Sequence, residues 1–138
     1  MRLPIAALAL LLALPITAMA ATPRETMVQL GAAPSEEEVA RTVERVRGEP
    51  LGSEANPVRV SGVEGEHAYI RRLRCADGNQ PRVGQRANVG VGVFGSIVDV
   101  WPLDCGDAAP GRFNLALDMY HDNHEETQAP AGFSLEPR

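Results

Sequence analysis

The chain has 138 residues, of which 44% are hydrophobic and only 4% are aromatic. All 13 of its basic residues are arginines, which excludes Schiff-base or general-base chemistry by lysine. The 18 acidic residues give a formal net charge of −5, and such a chain lacks the basic surface expected of a nucleic-acid-binding protein.

Residues 1–20 have the pattern of a signal peptide. Arg2 provides a positive start, the apolar run "LPIAALALLLALPI" follows, and "AMA" at 18–20 forms a small-x-small cleavage pattern. The run is shorter than the roughly 20 apolar residues of a membrane span. We therefore predict cleavage after Ala20, a periplasmic or secreted location and no membrane span. Loss of Arg2 leaves 12 arginines against 18 carboxylates, a formal charge of −6.

Residues 21–50 are expected to form an N-terminal arm with one helix at about 35–47. Ser35 and Glu38 have the spacing of a capping box, in which each side chain bonds the backbone N–H of the other. Val39, Val43 and Val46 recur at helical spacing but form only a narrow apolar stripe. The helix is therefore expected either to dock weakly on the domain or to stand as a solvated arm.

Residues 51–138 change to a period of two, which predicts a small antiparallel sheet. The strand at 112–121 has the clearest alternation, with Phe113, Leu115, Leu117 and Met119 on one face and mostly polar residues on the other, interrupted by Ala116. We predict that this strand is half-buried, with its polar face toward solvent. The fold class predicted is α+β or mainly β, with one N-terminal helix, one disulfide and four to five strands. The predicted strands are at 57–60, 66–75, 96–105 and 112–121, with a short last segment at 132–135.

Cys75 and Cys105 are the only cysteines of the chain. An even cysteine count in an exported protein favours a structural disulfide. A redox or metal-thiolate pair is the alternative, but redox pairs are usually C-x-x-C motifs, which this sequence lacks. We predict one disulfide between Cys75 and Cys105 that stabilises the β domain.

The segment "GVGVFG", residues 90–95, matches the G-x-G-x-x-G pattern of dinucleotide-binding proteins. That function requires the glycines to leave a strand and begin a helix, whereas the residues that follow are strand-like. Alternating glycines in an extended segment more often mark a β-bulge or a close approach of another backbone. We therefore predict no nucleotide site here.

The densest group of chemically reactive side chains is "LDMYHDNHEET", residues 117–127. Asp122 and Asn123 favour a turn, which would place His121 and His124 at positions i and i+3. The two imidazoles could then converge on a divalent metal, with His67 or a neighbouring carboxylate as the third ligand. The alternative is a solvated turn without a ligand, because H-E-x-x-H and its reversed form are absent.

The segments "LGSEANPVRV", "HAYIRRLRCADG" and "DMYHDNHEET" resemble a group of small exported bacterial proteins of uncharacterised function. The resemblance covers about residues 51–133. It implies a single small module outside the cytoplasm and assigns no activity or site residue.

Three hypotheses for the function follow. The first is an exported, non-enzymatic module that binds an unknown protein or small ligand outside the cytoplasm, with no cofactor and no nucleic acid. The second is a metal-binding protein or metal-dependent hydrolase that uses His121, His124 and His67, with a glutamate as base. The third is a secreted inhibitor of a hydrolase.

Overall fold

The computed structural model describes residues 21, 23–30 and 33–138, so the predicted signal peptide, residues 1–20, lies outside the described residues. None of the helices described is long and apolar enough to cross a membrane. In chain order, the described elements are α1 (Pro23–Gln29), α2 (Glu36–Val46), β1 (Val58–Arg59), α3 (Gly62–Arg72), β2 (Leu73–Arg74), β3 (Arg82–Val83), β4 (Ala87–Val91), β5 (Ile97–Asp104), β6 (Arg112–Asp118) and β7 (Ser134–Leu135).

The fold is α+β, as predicted, and its main sheet has five strands. The strand order is β1-β6-β5-β3, and β4 also pairs with β5. β5 is antiparallel to β3, β4 and β6, whereas β1 is parallel to β6, so the sheet is mixed rather than wholly antiparallel. A parallel pair needs a long crossover connection, which the chain between β1 and β6 provides. β2 and β7 form a separate antiparallel pair.

The predicted strand at 66–75 is wrong, because most of this segment belongs to the helix α3. Glu66, Tyr69, Ile70 and Leu73 are buried and lie at i, i+3, i+4 and i+7, which is one face of a helix. The helical spacing is not apparent from apolar residues alone, because one of the four buried positions is the glutamate Glu66. Glu64 in the first turn and two arginines in the last also complement the helix dipole.

The principal core lies between α3 and one face of the main sheet. Leu115 and Leu117 of β6 and Leu103 of β5 have almost no exposed surface. Their buried partners are Val58, Val60, Tyr69, Ile70, Leu73 and Met119. The core is therefore mostly aliphatic, with Tyr69 as its buried aromatic residue, in keeping with the low aromatic content of the sequence.

The second face of β6 is also buried toward its C-terminal end, which corrects the prediction of a half-exposed strand. Ala116 and Asp118 were expected to face solvent, yet both are fully buried. The register pairs Asp118 with Val98 of β5 and with Arg59 of β1, so these residues lie on the face opposite the principal core. Asp118 is thus a buried carboxylate in the interior of the sheet.

The N-terminal helix α2 docks on the domain, which decides between the two expectations for the arm. Val39 and Val46 form a second buried cluster with Phe94, which lies in the turn between β4 and β5. The Arg45 guanidinium also donates to the Val93 carbonyl at 3.4 Å. The narrow valine stripe is sufficient because a single phenylalanine covers it.

The capping box that the sequence predicts is present at the start of α2. The Glu38 N–H donates to Ser35 Oγ, and the Ser35 N–H donates to Glu38 Oε2 at 2.7 Å.

Replacing Ser35 with alanine is expected to destabilise α2 by about 1 kcal/mol, because one N–H of the first turn loses its acceptor. Amide hydrogen exchange of α2 measures this effect. Ser35→Thr keeps the acceptor and should retain most of the protection; equal loss in both variants would contradict a capping role.

The glycine-rich segment confirms the predicted β-bulge. The β4–β5 register shifts between Asn88 and Gly90, and Gly90 has a φ of 88°. At Gly92 a Cβ atom would lie 2.3 Å from Val98 Cγ2, so only glycine allows this close approach. The segment is a strand–turn–strand unit and begins no helix.

The predicted disulfide is present. Cys75 and Cys105 are bonded, with their Cα atoms 5.8 Å apart. Cys75 follows β2 and Cys105 follows β5, so the bond joins the small β2–β7 sheet to the main sheet.

Candidate functional site

The histidine-rich segment after β6 contains the predicted turn. The His124 N–H donates to the His121 carbonyl at 3.0 Å, with Asp122 and Asn123 as the central residues. The His121 N–H is bound to the Val60 carbonyl at 3.0 Å, and Ser61 Oγ donates to Asp122 Oδ1 at 2.9 Å. The turn is therefore held against the segment that joins β1 to α3.

His121 lies in the interior, in a network centred on Asp118. Its Nε2 is 2.9 Å from Asp118 Oδ1, and the Ser96 hydroxyl donates to the same oxygen. The ring also packs edge-on against Phe94, with centroids 5.4 Å apart. Ser96, Asp118 and His121 are all buried. Because serine and histidine both bond the aspartate and not each other, this is not the arrangement of a catalytic triad.

His124 is half-buried and pairs with a different carboxylate. Its Nε2 is 3.2 Å from Glu126 Oε2, while Glu126 Oε1 accepts the N–H groups of Thr127 and Gln128, each at 3.0 Å. Burial raises the pKa of Glu126, but the hydrogen bonds from His124 and the backbone outweigh it, so the pKa lies below its usual value. Glu126 is thus an ionised carboxylate that fixes the segment after the turn.

The structure does not bring the three predicted metal ligands together. His67 lies on the exposed side of α3, where its ring packs edge-on against Trp101 at 5.2 Å, whereas His121 packs against Phe94 and His124 bonds Glu126. In the part of the chain that the structure describes, no three histidine, cysteine, aspartate or glutamate side chains form a group that could hold a metal ion.

Two adjoining cavities flank the segment that carries His124. Their volumes are about 410 and 380 Å³. The first is also lined by Ser61, Tyr69 and Asp122, and the second by Phe94 and Gln128. We call the two cavities together the His124 groove, defined by the residues that line both: Arg59, His124, Glu125 and Glu126.

The charged groups of the His124 groove differ in how they are paired. Glu125 is 2.9 Å from Arg138 Nε and 4.0 Å from the Arg72 guanidinium, and Arg72 Nε donates to the Glu136 carbonyl. Arg59 is half-buried, with its guanidinium carbon 5.7 Å from the centroid of the Phe94 ring. Among the described residues it has no hydrogen-bond acceptor or ion-pair partner within bonding distance. Arg59 is therefore the arginine that lines both cavities and has no such partner.

No family model matches this sequence, and neither the curated proteins nor the solved structures contain a significant match. The resemblance of residues 51–133 to small exported bacterial proteins therefore stays a prediction.

A second buried polar cluster lies between α3 and β5, outside the groove. Glu66 and Asp99 are both buried and face the same guanidinium, with Arg86 Nη1 3.1 Å from Asp99 and 3.7 Å from Glu66. Trp101 Nε1 donates to Glu66 at 3.1 Å, and the Asn88 amide donates to Asp99 at 2.8 Å. One oxygen of Glu66 has no hydrogen-bond partner.

The carboxyl of Glu66 is strongly perturbed in this cluster. Burial raises its pKa to about 7, and the neighbouring Asp99 contributes to the rise, against the hydrogen bond from Trp101 and the charge of Arg86. With two carboxyls and a single arginine, the cluster favours holding one proton. Glu66 is closed off from solvent, so this proton affects stability rather than a bound substrate.

The motifs of the sequence do not point to Arg59, Glu66 or Asp99. Asp99 had a visible signal, because it is a carboxylate in the middle of the apolar strand "SIVDVW". Arg59 had a similar one, as the only polar residue of "PVRV". A charged residue inside a buried strand requires a partner or a ligand.

Proposed function

We propose that this protein is an exported binding module without catalytic activity, and that its ligand lies in the His124 groove. The observation that carries this proposal is the pair of adjoining cavities of about 410 and 380 Å³. Ligand sites are typically clefts of about 300–1,000 Å³ with a few well-placed polar groups. Arg59, His124 and Glu126 are the polar groups placed at this position.

The disulfide supports the exported location, periplasmic or secreted. Structural disulfides persist in oxidising compartments and are rare in reducing ones. The Cys75–Cys105 bond joins the two sheets, as expected of a structural bridge.

The hydrogen bonds of the histidines support binding rather than catalysis. A histidine that activates a nucleophile bonds to a serine, threonine or cysteine side chain. In the described part of the chain, His121 bonds Asp118 and His124 bonds Glu126 instead. The metal-dependent alternative is not favoured, because it needs His67, His121 and His124 to converge.

Chemical-shift mapping of the ¹⁵N-labelled protein tests this proposal. The probes are amino acids, short peptides, dicarboxylic acids, sugars and zinc chloride, each added separately. A ligand of the groove is expected to shift the amides of Arg59, Ser61, His124 and Glu126, and to leave those of β4 unchanged, since β4 lies at the far edge of the sheet.

The same experiment can contradict the proposal in two ways. Turnover of any probe by the pure protein would show an enzyme, and joint shifts of the His121 and His124 rings with zinc would favour the metal hypothesis.

For a probe that binds, Tyr69→Phe is expected to weaken affinity by about two- to tenfold, because the Tyr69 hydroxyl holds the Gln128 carbonyl at 2.8 Å. Co-purification with a hydrolase would favour the inhibitor hypothesis instead.

A further inference from the structure

We propose that Arg59 is the anchor of a carboxylate-binding subsite in the His124 groove, so that the ligand carries a singly charged carboxylate. This inference rests on the proposed function, because it names the chemistry of the ligand that the groove would hold. Arg59 lines both cavities, and among the described residues it has no hydrogen-bond acceptor or ion-pair partner within bonding distance.

The position of Arg59 prepares it for an anion. Its strand register with Asp118 places it on the face of the sheet where Phe94 lies, and the guanidinium stacks over that ring. An arginine held against an aromatic ring keeps the N–H donors at its edge available, and these match the two oxygens of a carboxylate. The stacking also restricts the side chain, which lowers the entropy lost on binding.

The surroundings of Arg59 leave those donors without a partner of their own. Burial lowers the pKa of Arg59, although the charges of Glu126, Glu36 and Asp118 oppose this effect. A partly desolvated cation without an acceptor is costly unless a ligand or water supplies one. The oxygens of Glu126 accept hydrogen bonds from His124, Thr127 and Gln128 rather than from Arg59.

The other arginines of the groove are already engaged. Arg138 and Arg72 face Glu125, and Arg72 also bonds the Glu136 carbonyl. Arg47, which lines the second cavity, pairs with Glu44 at 2.6 Å. An incoming anion would have to displace these contacts, whereas Arg59 has no such contact among the described residues. Arg59 is therefore the preferred contact for an anionic group.

The charge around the site favours an anion with one negative charge. Glu126, Glu36 and Asp118 are all close enough to act on Arg59 electrostatically. A doubly charged phosphate would be repelled by these carboxylates more strongly than a carboxylate, and Arg59 alone would not neutralise it. The carboxylate can come from a small organic acid or from the C-terminus of a peptide.

A titration with matched probes tests the subsite. The probes are N-acetylalanine, its neutral amide, N-acetyl-dialanine and inorganic phosphate, followed through the Arg59 Nε–Hε signal and the groove amides. We expect saturable binding of the two acids, no binding of the amide and weaker binding of phosphate. Tighter binding of the peptide acid than of N-acetylalanine would assign the subsite to peptide C-termini; the reverse order would assign it to small acids.

Variants at Arg59 complete the test. Arg59→Gln is expected to weaken acid binding by about tenfold or more, and Arg59→Lys by less, because lysine keeps the charge but loses the bidentate geometry. Arg71→Gln is the matched control, since Arg71 is exposed and lines neither cavity of the groove. The ¹H–¹⁵N spectrum of each variant confirms that it is folded.

Several results would overturn the subsite. They are equal binding of the acid and the amide, tighter binding of phosphate, no response of Arg59 to either acid, or the same loss of affinity in Arg71→Gln as in Arg59→Gln. If neutral probes still shift the groove amides while Arg59→Gln has no effect, the carboxylate subsite is wrong and the proposed binding function stands. If no probe of either experiment shifts the groove amides, the binding function fails as well.

Discussion

Replacing Cys75 and Cys105 with alanine is expected to lower the free energy of unfolding by about 3 to 4 kcal/mol. The two cysteines are 30 residues apart, and a cross-link that closes such a loop removes chain entropy from the unfolded state by about this amount. The effect is a large share of the total, because small domains are stabilised by only about 5 to 15 kcal/mol. The disulfide thus compensates for a core that is aliphatic and of modest size.

Urea denaturation of the oxidised protein and the double variant measures this difference. Reductant should bring the midpoint of the native protein close to that of the variant and leave the variant unchanged. The dependence of the free energy on urea should also be steeper in the variant, because its unfolded chain is less compact. Free thiols in freshly purified protein, with a melting temperature that reductant does not alter, would contradict a stabilising disulfide.

The second large effect is a loss of stability as the pH rises through 7, caused by Glu66. Its pKa in the folded protein is raised from 4.5 to about 7, so the folded state holds a proton that the unfolded state has released between these two values. The resulting stabilisation is complete below pH 4.5 and is lost as the pH rises through 7. A difference of this size corresponds to about 3 kcal/mol.

Glu66→Gln separates this contribution from those of other groups. Glutamine resembles the protonated carboxyl and cannot ionise, so the variant should match the native protein near pH 5 and exceed its stability by about 2 to 3 kcal/mol at pH 8. Glu64→Gln is the matched control, because Glu64 is exposed on the same helix. The measurement is thermal or urea unfolding from pH 5 to pH 8. Parallel curves for the Glu66 variant and the native protein would show that Glu66 has no raised pKa.

Asp99→Asn tests whether the charge of Asp99 contributes to the raised pKa of Glu66. Removal of the neighbouring charge should lower the pKa of Glu66, since Asp99 raises it and Arg86 would then face a single carboxylate. The loss of stability would then occur at lower pH than in the native protein. The groups that face Glu66 in this cluster are Asp99, Trp101 and Arg86, and of these only the carboxylate and the guanidinium are charged.

Several features could be predicted from short stretches of the chain. The capping box of α2 depends on Ser35 and Glu38, which are three residues apart, and the turn at Asp122 and Asn123 depends on its own residues. The strands β5 and β6 follow from alternation within each segment. These predictions held because the interactions that decide them are local.

The candidate site could not be predicted in the same way. His121, His124 and His67 are candidate ligands by their chemistry, but their surroundings come from distant segments. Phe94 packs on His121, and Trp101 packs on His67. Arg59 becomes a candidate for ligand binding only because β1 pairs with β6 and brings it beside the His124 segment. Spacing along the chain contains no information about these contacts.

The disulfide, the capped helix α2, the central strands and the turn between the histidines can all be predicted from the amino-acid sequence. Two lone cysteines, a capping pair and a turn dipeptide each form their contacts with few alternatives. The helix at residues 62–72, the burial of Asp118 and Glu66 and the position of Arg59 in a groove became visible only in the folded protein. Burial depends on which distant segment covers a residue, and desolvation then changes the charge and the function of the side chain.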